Sequence, residues 1–426
     1  MHQENKKKKQ VAFIVPFWSN NAFIGNKRIS DFLDWMSRNE YYCYIFTLGK
    51  VNRVIAKNDY EIVETKNTLL NISDYVYERS KKSVFFRWLN LIIRNFLEII
   101  LIPDKNILFG YSLNINYAKN TIPKCDLIIS SSPVESSHLI AYNYSKKFGI
   151  KHIADFRDGW TDEPLNIYSK IFKHRKIIEL KQEFKVVNNA KLVIVNSPGW
   201  SDYLIEKYPD IKPKLFTITN SYQNNIQPTS TMKISSSSII RLVYAGKFSE
   251  SSYLRRPKFL FGKFYELLKN IENRTRIRID IYGDLTKRDI NEIVYWRNLL
   301  NGFNCEIYMN KFLKTEDLSN ELMNNDGLLM LSASRAAIPS KLYDYIVTQK
   351  PILCFAPINN PFHLYLQDLP QLFLFNLERD YSSEDNVKFK EFLILCKDQT
   401  FKGNIPNVFS KEVNKKKFLE LIRNIN

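Results

Sequence analysis

The chain is poor in the groups that build disulfide frames and metal centres. Its five cysteines (Cys43, Cys125, Cys305, Cys354 and Cys396) stand singly, and no C-x-x-C pair occurs. That pattern fits free thiols in a reducing cytosol and excludes a disulfide scaffold. The five histidines (His2, His138, His152, His174 and His363) lack metal-ligand spacing, and there is no Asp-x-Asp triplet. No protein-held metal and no other cofactor are expected. Only 12 glycines and 16 prolines occur among 426 residues, which excludes a fibrous or disordered chain.

Long uncharged apolar runs are also missing. Lys6–Lys9 followed by Val11–Val15 has the outline of a signal peptide, but the apolar run is too short and no small-residue cleavage site follows. The stretch reads as a basic tail and a first strand. Residues 84–102 are richly apolar, yet Arg87, Asn90, Arg94 and Glu98 recur at helical spacing along one face. Each charge would cost about 2.5–3.5 kcal/mol at a bilayer centre. The segment is therefore amphipathic. It either packs on its own domain or lies on an anionic membrane surface, helped by Lys81 and Lys82.

What is present is a large apolar fraction (45%, with 14% aromatic) and a net charge of +18. At roughly 150 residues per domain the length predicts two or three domains, each able to bury a core. The excess charge is +11 in residues 1–220 and +7 in the remainder. A basic surface attracts nucleic acid, anionic lipid or phosphorylated substrates. No zinc-finger or RNA-binding signature accompanies it, so no nucleic-acid partner is expected. An AT-rich genome would produce the same lysine- and asparagine-rich composition.

Short apolar runs alternate with helical patterns in both halves. Val11–Phe17, Tyr42–Thr47, Asp126–Ser130, Lys151–Asp155 and Lys191–Asn196 read as strands, with helices such as Arg28–Ser37 and Ser136–Phe148 between them. Several runs are continuously apolar, as parallel strands buried on both faces are. Residues 221–238, with Gln227-Pro-Thr-Ser-Thr231 and Ser235–Ser238, form a polar linker. The rhythm then restarts: Arg241–Ala245, Arg278–Tyr282, Cys305–Tyr308, Gly327–Leu331 and Pro351–Phe355 as strands, separated by helices near Pro257–Lys269, Asp289–Leu300, Thr315–Met323 and Pro339–Val347. The expected organisation is an α/β domain over 1–220, the linker, a second α/β domain over 239–410, and a basic amphipathic helix in 411–426 packing back on the first domain. Two such domains joined by a hinge imply a cleft between the carboxyl edges of two parallel sheets, where ligands bind.

Chemistry concentrates in three segments. Ile153-Ala-Asp155-Phe-Arg157-Asp158-Gly-Trp160 places charged residues at a strand's carboxyl end, where they either act on a ligand or pair to hold a loop. Leu242-Val-Tyr-Ala-Gly246-Lys247 runs into a turn followed by Arg255-Arg256-Pro257 and a helix. Proline suits a first helical turn, and the free N–H groups there favour an anion. Two arginines and Lys247 would make a diphosphate site, unless they form a solvated basic turn. Finally, Ile338-Pro339-Ser-Lys341-Leu-Tyr-Asp344-Tyr345 puts Lys341 and Asp344 three apart on one helix face, suited to a phosphate and to ribose hydroxyls or to a plain surface ion pair. Gly283, ending the Asp280-Ile-Tyr-Gly strand, either admits a nucleotide base to the backbone or simply turns the chain.

Taken jointly these segments resemble family 4-like glycosyltransferases of bacterial surface polysaccharide synthesis. Asp155-Phe-Arg-Asp-Gly-Trp160 is similar to that family's Asp-Phe-Arg-Asp-Pro-Trp signature, with Gly159 in place of proline. Ser131-Ser132-Pro133 and Ile102-Pro103-Asp104 precede it in the family's order. Pro339–Tyr345 and Lys350-Pro-Ile-Leu353 resemble its Pro-x-Lys-Leu-x-Glu-Tyr helix and Arg-Pro-Ile-Leu strand, with Asp344 for glutamate and Ala336 where a second glutamate is usual. The resemblance spans nearly the whole chain and implies a GT-B architecture of two Rossmann-like domains.

It further implies transfer of a sugar, with retention and without a metal, from a nucleoside diphosphate sugar to a glycan or polyprenyl-diphosphate-linked acceptor. The enzyme would be cytoplasmic, with a peripheral place on the inner face of the membrane. Lys247, Arg256, Lys341, Asp344 and Gly283 would hold the donor. Asp158 or Asp155, with Arg157, would serve the acceptor, and Gly25 and Ser132 would lie in the cleft loops. A nucleotide-sugar epimerase of the same architecture and a non-catalytic glycan or membrane adaptor are the competing readings.

Overall fold

The computed structural model describes residues 8–18, 26–37, 40–81, 83–113, 116–161, 167–222, 239–248, 253–271, 275–398 and 400–425. Gly25, linker residues 223–238 and residues 162–164 lie outside the described residues. The chain divides into two compact units. Met1–Asn196, Trp200–Ile218 and Lys415–Asn426 form the first, and Ser197–Gly199 with Thr219–Asn414 the second.

Among the described residues the first unit has eight strands: β1 (Lys9–Ile14), β2 (Tyr41–Gly49), β3 (Arg53–Ala56), β4 (Tyr60–Lys66), β5 (Leu127–Ser131), β6 (Lys151–Phe156), β7 (Leu192–Val195) and β8 (Leu215–Thr217). Their order is β3-β4-β2-β1-β5-β6-β7-β8. Only β3 runs antiparallel, against β4. Side chains alternate between two cores, as the period of a strand requires. Val11 and Phe13 join Ile29, Phe32 and Trp35 on one face, while Ala12 and Ile14 join Phe46, Phe109 and Ile128 on the other. Phe418, Leu419 and Ile422 complete the first of these cores, Phe418 stacking on Phe32 with centroids 4.3 Å apart. Helix Ser136–Phe148 contributes Ile140 and Ala141 to the opposite core and stops at Gly149, whose φ of 70° closes the last turn.

Among its described residues the second unit has six parallel strands: β9 (Ile239–Ala245), β10 (Arg276–Tyr282), β11 (Cys305–Asn310), β12 (Gly327–Leu331), β13 (Ile352–Ala356) and β14 (Leu372–Asn376), in the order β11-β10-β9-β12-β13-β14. Leu242 and Tyr244 face one core with Phe261 and Phe264, and Val243 and Ala245 face the other with Leu342 and Tyr345. In each unit the strand order reverses beside the first strand, between β1 and β5 and between β9 and β12. Ligands of open α/β sheets bind at the carboxyl ends of strands at such a reversal.

The sequence reading omits β3, β4, β8 and β14. β3 and β4 are interrupted by charge, and the fold accepts them because Arg53 Nε reaches the buried Glu64 carboxylate at 2.7 Å. β8 is only three residues long. Two boundaries need correction. The first strand ends at Ile14, not Phe17, because Pro16 carries no N–H for the ladder. The helix expected from Pro339 starts at Lys341, with Pro339 in the turn before it, where its carbonyl accepts from Leu342 N at 3.0 Å.

Candidate functional site

In the second unit the carboxyl ends of β9 and β10 are pressed together without side chains between them. Gly246 N donates to Tyr282 O at 2.7 Å, and Gly246 has a φ of 129°, which side-chain-bearing residues rarely adopt. A Cβ on Gly283 would lie 2.2 Å from Gly246 O. The direction a side chain at Gly283 would take is therefore filled by a neighbouring backbone, so strand packing alone requires the glycine. Gly283→Ala forces these two strand ends apart, and overpacking of this kind costs about 1–3 kcal/mol. The check is urea denaturation of the variant beside Gly302→Ala, which meets only one atom, at 3.5 Å.

Lys341 fills the space that a side chain at Gly246 would occupy. An ideal Cβ there would sit 1.3 Å from Lys341 Nζ. The ammonium lies 5.3 Å from the Tyr244 ring centroid, and Tyr244 is itself stacked on Phe248. The short helix Lys341–Val347 is pinned from its buried face, where Tyr345 Oη accepts from Ala245 N at 2.8 Å. Burial, and then the charge of Arg255, push Lys341 down from its ordinary value to about 7. Among the described residues no acid pairs with it. A half-buried cation held near a second cation favours a bound anion.

The other basic residues expected here are placed differently. Arg256 caps helix Pro257–Lys269, but its guanidinium is committed to Glu292, with Nε at 2.8 Å. It ties two helices together, and Arg255 is the arginine whose charge is felt at Lys341. Lys247 pairs with Asp284 at 2.7 Å, and both side chains are about two-thirds exposed. Such a pair holds little energy and exchanges readily. Asp344 is exposed on the helix that carries Lys341. Ala336 is buried, and its carbonyl accepts from Ser197 Oγ at 2.6 Å within the same unit.

In the first unit the two candidate carboxylates part ways. Asp155 is fully buried in β6 and accepts from Arg28 Nη2 and Ser131 Oγ, both at 2.7 Å, and from Arg28 Nε at 3.0 Å. Arg28 Nη1 also donates to Ile218 O at 2.8 Å. Every lone-pair direction of Asp155 is thus directed inward, which removes it as a group for an acceptor. Ser132 works on the loop backbone: its Oγ accepts from Arg157 N at 2.9 Å and its N donates to Asp155 O at 3.1 Å. Gly159 is packed under Trp200, since a Cβ there would lie 2.5 Å from the indole. The glycine is what lets the indole close over this loop.

Arg157 and Asp158 follow the strand end and are half-buried. Arg157 Nε has no partner among the described residues, and burial holds its pKa down. Burial raises Asp158, with Arg157 opposing. Glu135, just before helix Ser136–Phe148, joins them. Burial first, then Asp104 and further off Asp158, push it well above the usual carboxylate range. Asp158, a carboxyl group of raised proton affinity next to the half-buried Arg157 guanidinium, can take a proton from a hydroxyl. Glu135 and Arg28 carry no motif of their own, and Arg255 stands in the sequence only as one of the two arginines of the basic turn. Glu135 stands at the carboxyl end of β5, in the Ser131-Ser-Pro-Val-Glu135 turn, and that position is the only sequence signal for it.

No family model matches the chain, and no curated protein matches it. Solved structures do. Sucrose-phosphate synthase from Thermosynechococcus elongatus superposes with a TM-score of 0.62 at 10% identity, covering 98% of this chain and 99% of its own. A glycosyltransferase from Rickettsia africae gives 0.56 at 13% identity, covering 98% of each chain. Anabaena HepE, solved in complex with UDP and glucose, gives 0.55 at 11%, covering 98% of this chain and 100% of that one. At these identities the likeness shows the fold, which is GT-B with two Rossmann-like domains.

Proposed function

We propose that the chain is a glycosyltransferase that takes a sugar from a nucleoside diphosphate sugar and delivers it, with retention, to a glycan or lipid-linked glycan acceptor. The observation that carries this reading is the ammonium of Lys341, half-buried and packed against Gly246 at the carboxyl end of β9, within reach of the charge of Arg255 and, among the described residues, without a paired acid. Departure of the nucleoside diphosphate is the hard step, because two negative phosphates must leave as the sugar becomes oxocarbenium-like. A preorganised cation pair stabilises that charge as it develops. Lys247 joins once its exposed pairing with Asp284 opens, and Asp344 on the same helix as Lys341 is positioned to accept from ribose hydroxyls. In the first unit Asp158, with Glu135 as its neighbour, orients or deprotonates the acceptor hydroxyl, and Arg157 balances the charge. A glycan carried on a polyprenyl diphosphate, in bacterial surface polysaccharide assembly at the inner face of the membrane, fits the sequence resemblance and the basic first unit.

The test is thermal shift with UDP-, GDP-, dTDP- and CMP-sugars, followed by the variants. One nucleotide sugar stabilises the wild type, Lys341→Ala and Arg255→Ala abolish that stabilisation, and Arg256→Ala lowers the melting temperature while keeping it. If no nucleotide sugar stabilises the wild type, or Lys341→Ala binds undiminished, the donor assignment fails. Isomerised nucleotide sugar formed without an acceptor would indicate the epimerase instead.

A further inference from the structure

Helix Val84–Ile100 leaves its apolar side uncovered. It packs against helix Thr68–Ser80, and none of its residues with a described side chain is fully buried. Val84, Phe85, Trp88, Leu91, Ile92, Phe96, Ile99 and Ile100 fall on one arc of the helix and are 42–70% exposed. Leu69, Ile72 and Tyr75 continue the apolar surface onto the partner helix. Isolated exposed apolar residues need no explanation, but a contiguous set of this size marks an interaction surface. Among the described residues no helix is long and apolar enough to cross a membrane.

The charge around this surface is net basic, with Glu78 paired to Lys81 at 2.8 Å and Glu98 on the helix itself. Residues 79–97 contain five basic residues (Arg79, Lys81, Lys82, Arg87 and Arg94) and no acid. Arg79 lies over the rings of Tyr75 and Phe86, and Arg87 is exposed beside the apolar arc. At the far end, Arg175 donates to Glu98 O and Pro103 O, bringing the start of helix Lys173–Asn189 to the last turn of Val84–Ile100. That neighbouring segment exposes Lys170, Lys173, Lys176, Ile171 and Ile177, and residues 167–178 hold no acid. An apolar helical arc flanked at both ends by lysine and arginine has the make-up of a helix lying in the headgroup layer of a bilayer.

We infer that this face of the first unit docks on an anionic lipid surface. Val84–Ile100 lies parallel to the membrane with Trp88, Ile92 and Phe96 in the acyl boundary. Arg87 and Lys170–Lys176 sit among lipid phosphates. This inference stands on the surface alone and does not depend on glycosyl transfer.

Flotation of the full chain with vesicles tests it. Binding is expected to vesicles of phosphatidylglycerol and phosphatidylcholine, to fall steeply in 0.5 M salt, and to be weak with phosphatidylcholine alone. Trp88→Glu/Phe96→Glu weakens it by at least about a hundredfold, since two buried side chains are lost. Lys173→Glu/Lys176→Glu weakens it by about fivefold or more per residue. Both variants keep the wild-type melting temperature and any nucleotide-induced shift, which separates a failure here from a failure of the donor site. Three results would overturn the inference: no binding by the wild type, equal binding by the Trp88/Phe96 variant, or a dimer in light scattering that this variant dissociates.

Discussion

Arg28→Ala is expected to destabilise the first unit by about 3–5 kcal/mol, the cost of leaving a buried charge without its partner. Asp155 has zero exposure, and Arg28 supplies two of the groups that donate to it. Removing the guanidinium also strips the donor from Ile218 O and leaves a void beside Phe32, over whose ring it lies at 4.9 Å. For a unit of this size each kcal/mol moves the melting temperature by roughly 2–4 °C, so the melting of this unit falls by about 6–20 °C in calorimetry. The pair as a whole contributes less than the single variant suggests. Arg28→Met/Asp155→Leu, which removes both charges and keeps volume, should recover most of the loss. A double variant no better than Arg28→Ala would show that Arg28 acts through packing and the Ile218 carbonyl.

Lys341→Met is expected to reduce sugar transfer by about 10²–10³-fold, the usual effect of deleting one preorganised electrostatic contact. It should also make the empty protein more stable. Lys341 is pushed down to about 7 in the folded chain from an ordinary lysine value of 10.5. A lysine whose folded value is lowered binds fewer protons folded than unfolded between these limits, so stability rises with pH across that window. Its cost is fully present below pH 7 and has gone by about pH 10.5. The wild type therefore melts below Lys341→Met at pH 7, and the two converge as the pH approaches 10. Lower activity with higher stability is the signature of a functional strain. A variant that lost both would mark Lys341 as structural.

Much of this was legible in the sequence, and the limits are physical. Buried parallel strands announce themselves as apolar runs, so most of β1, β5, β7, β9 and β12 could be read directly. β3 and β4 could not, because Arg53 and Glu64 neutralise one another only after the chain folds. The lysine of Pro339-Ser-Lys341 was legible as a candidate, but not its setting, since Gly246 lies far away in the chain and meets it only through the β9–β12 pairing. Arg255 and Arg256 look alike in sequence, and Glu292 on another helix separates them. Asp155 and Asp158 are three residues apart. The first still belongs to the strand and points into the core, while the second follows the strand end. Glu135 had no motif around it.

The stacking of Phe418 on Phe32 has a consequence in time. Lys415–Asn426 belong to the first unit, yet all of Thr219–Asn414 must be synthesised before they appear. At about 5–20 residues per second, the ribosome needs roughly 10–40 s to cross that interval. During it, Phe32 and Trp35 wait without the rings and aliphatic side chains that cover them. The second unit has its strands in one uninterrupted run and can close first. The half of the molecule that is made first is thus the half that is finished last.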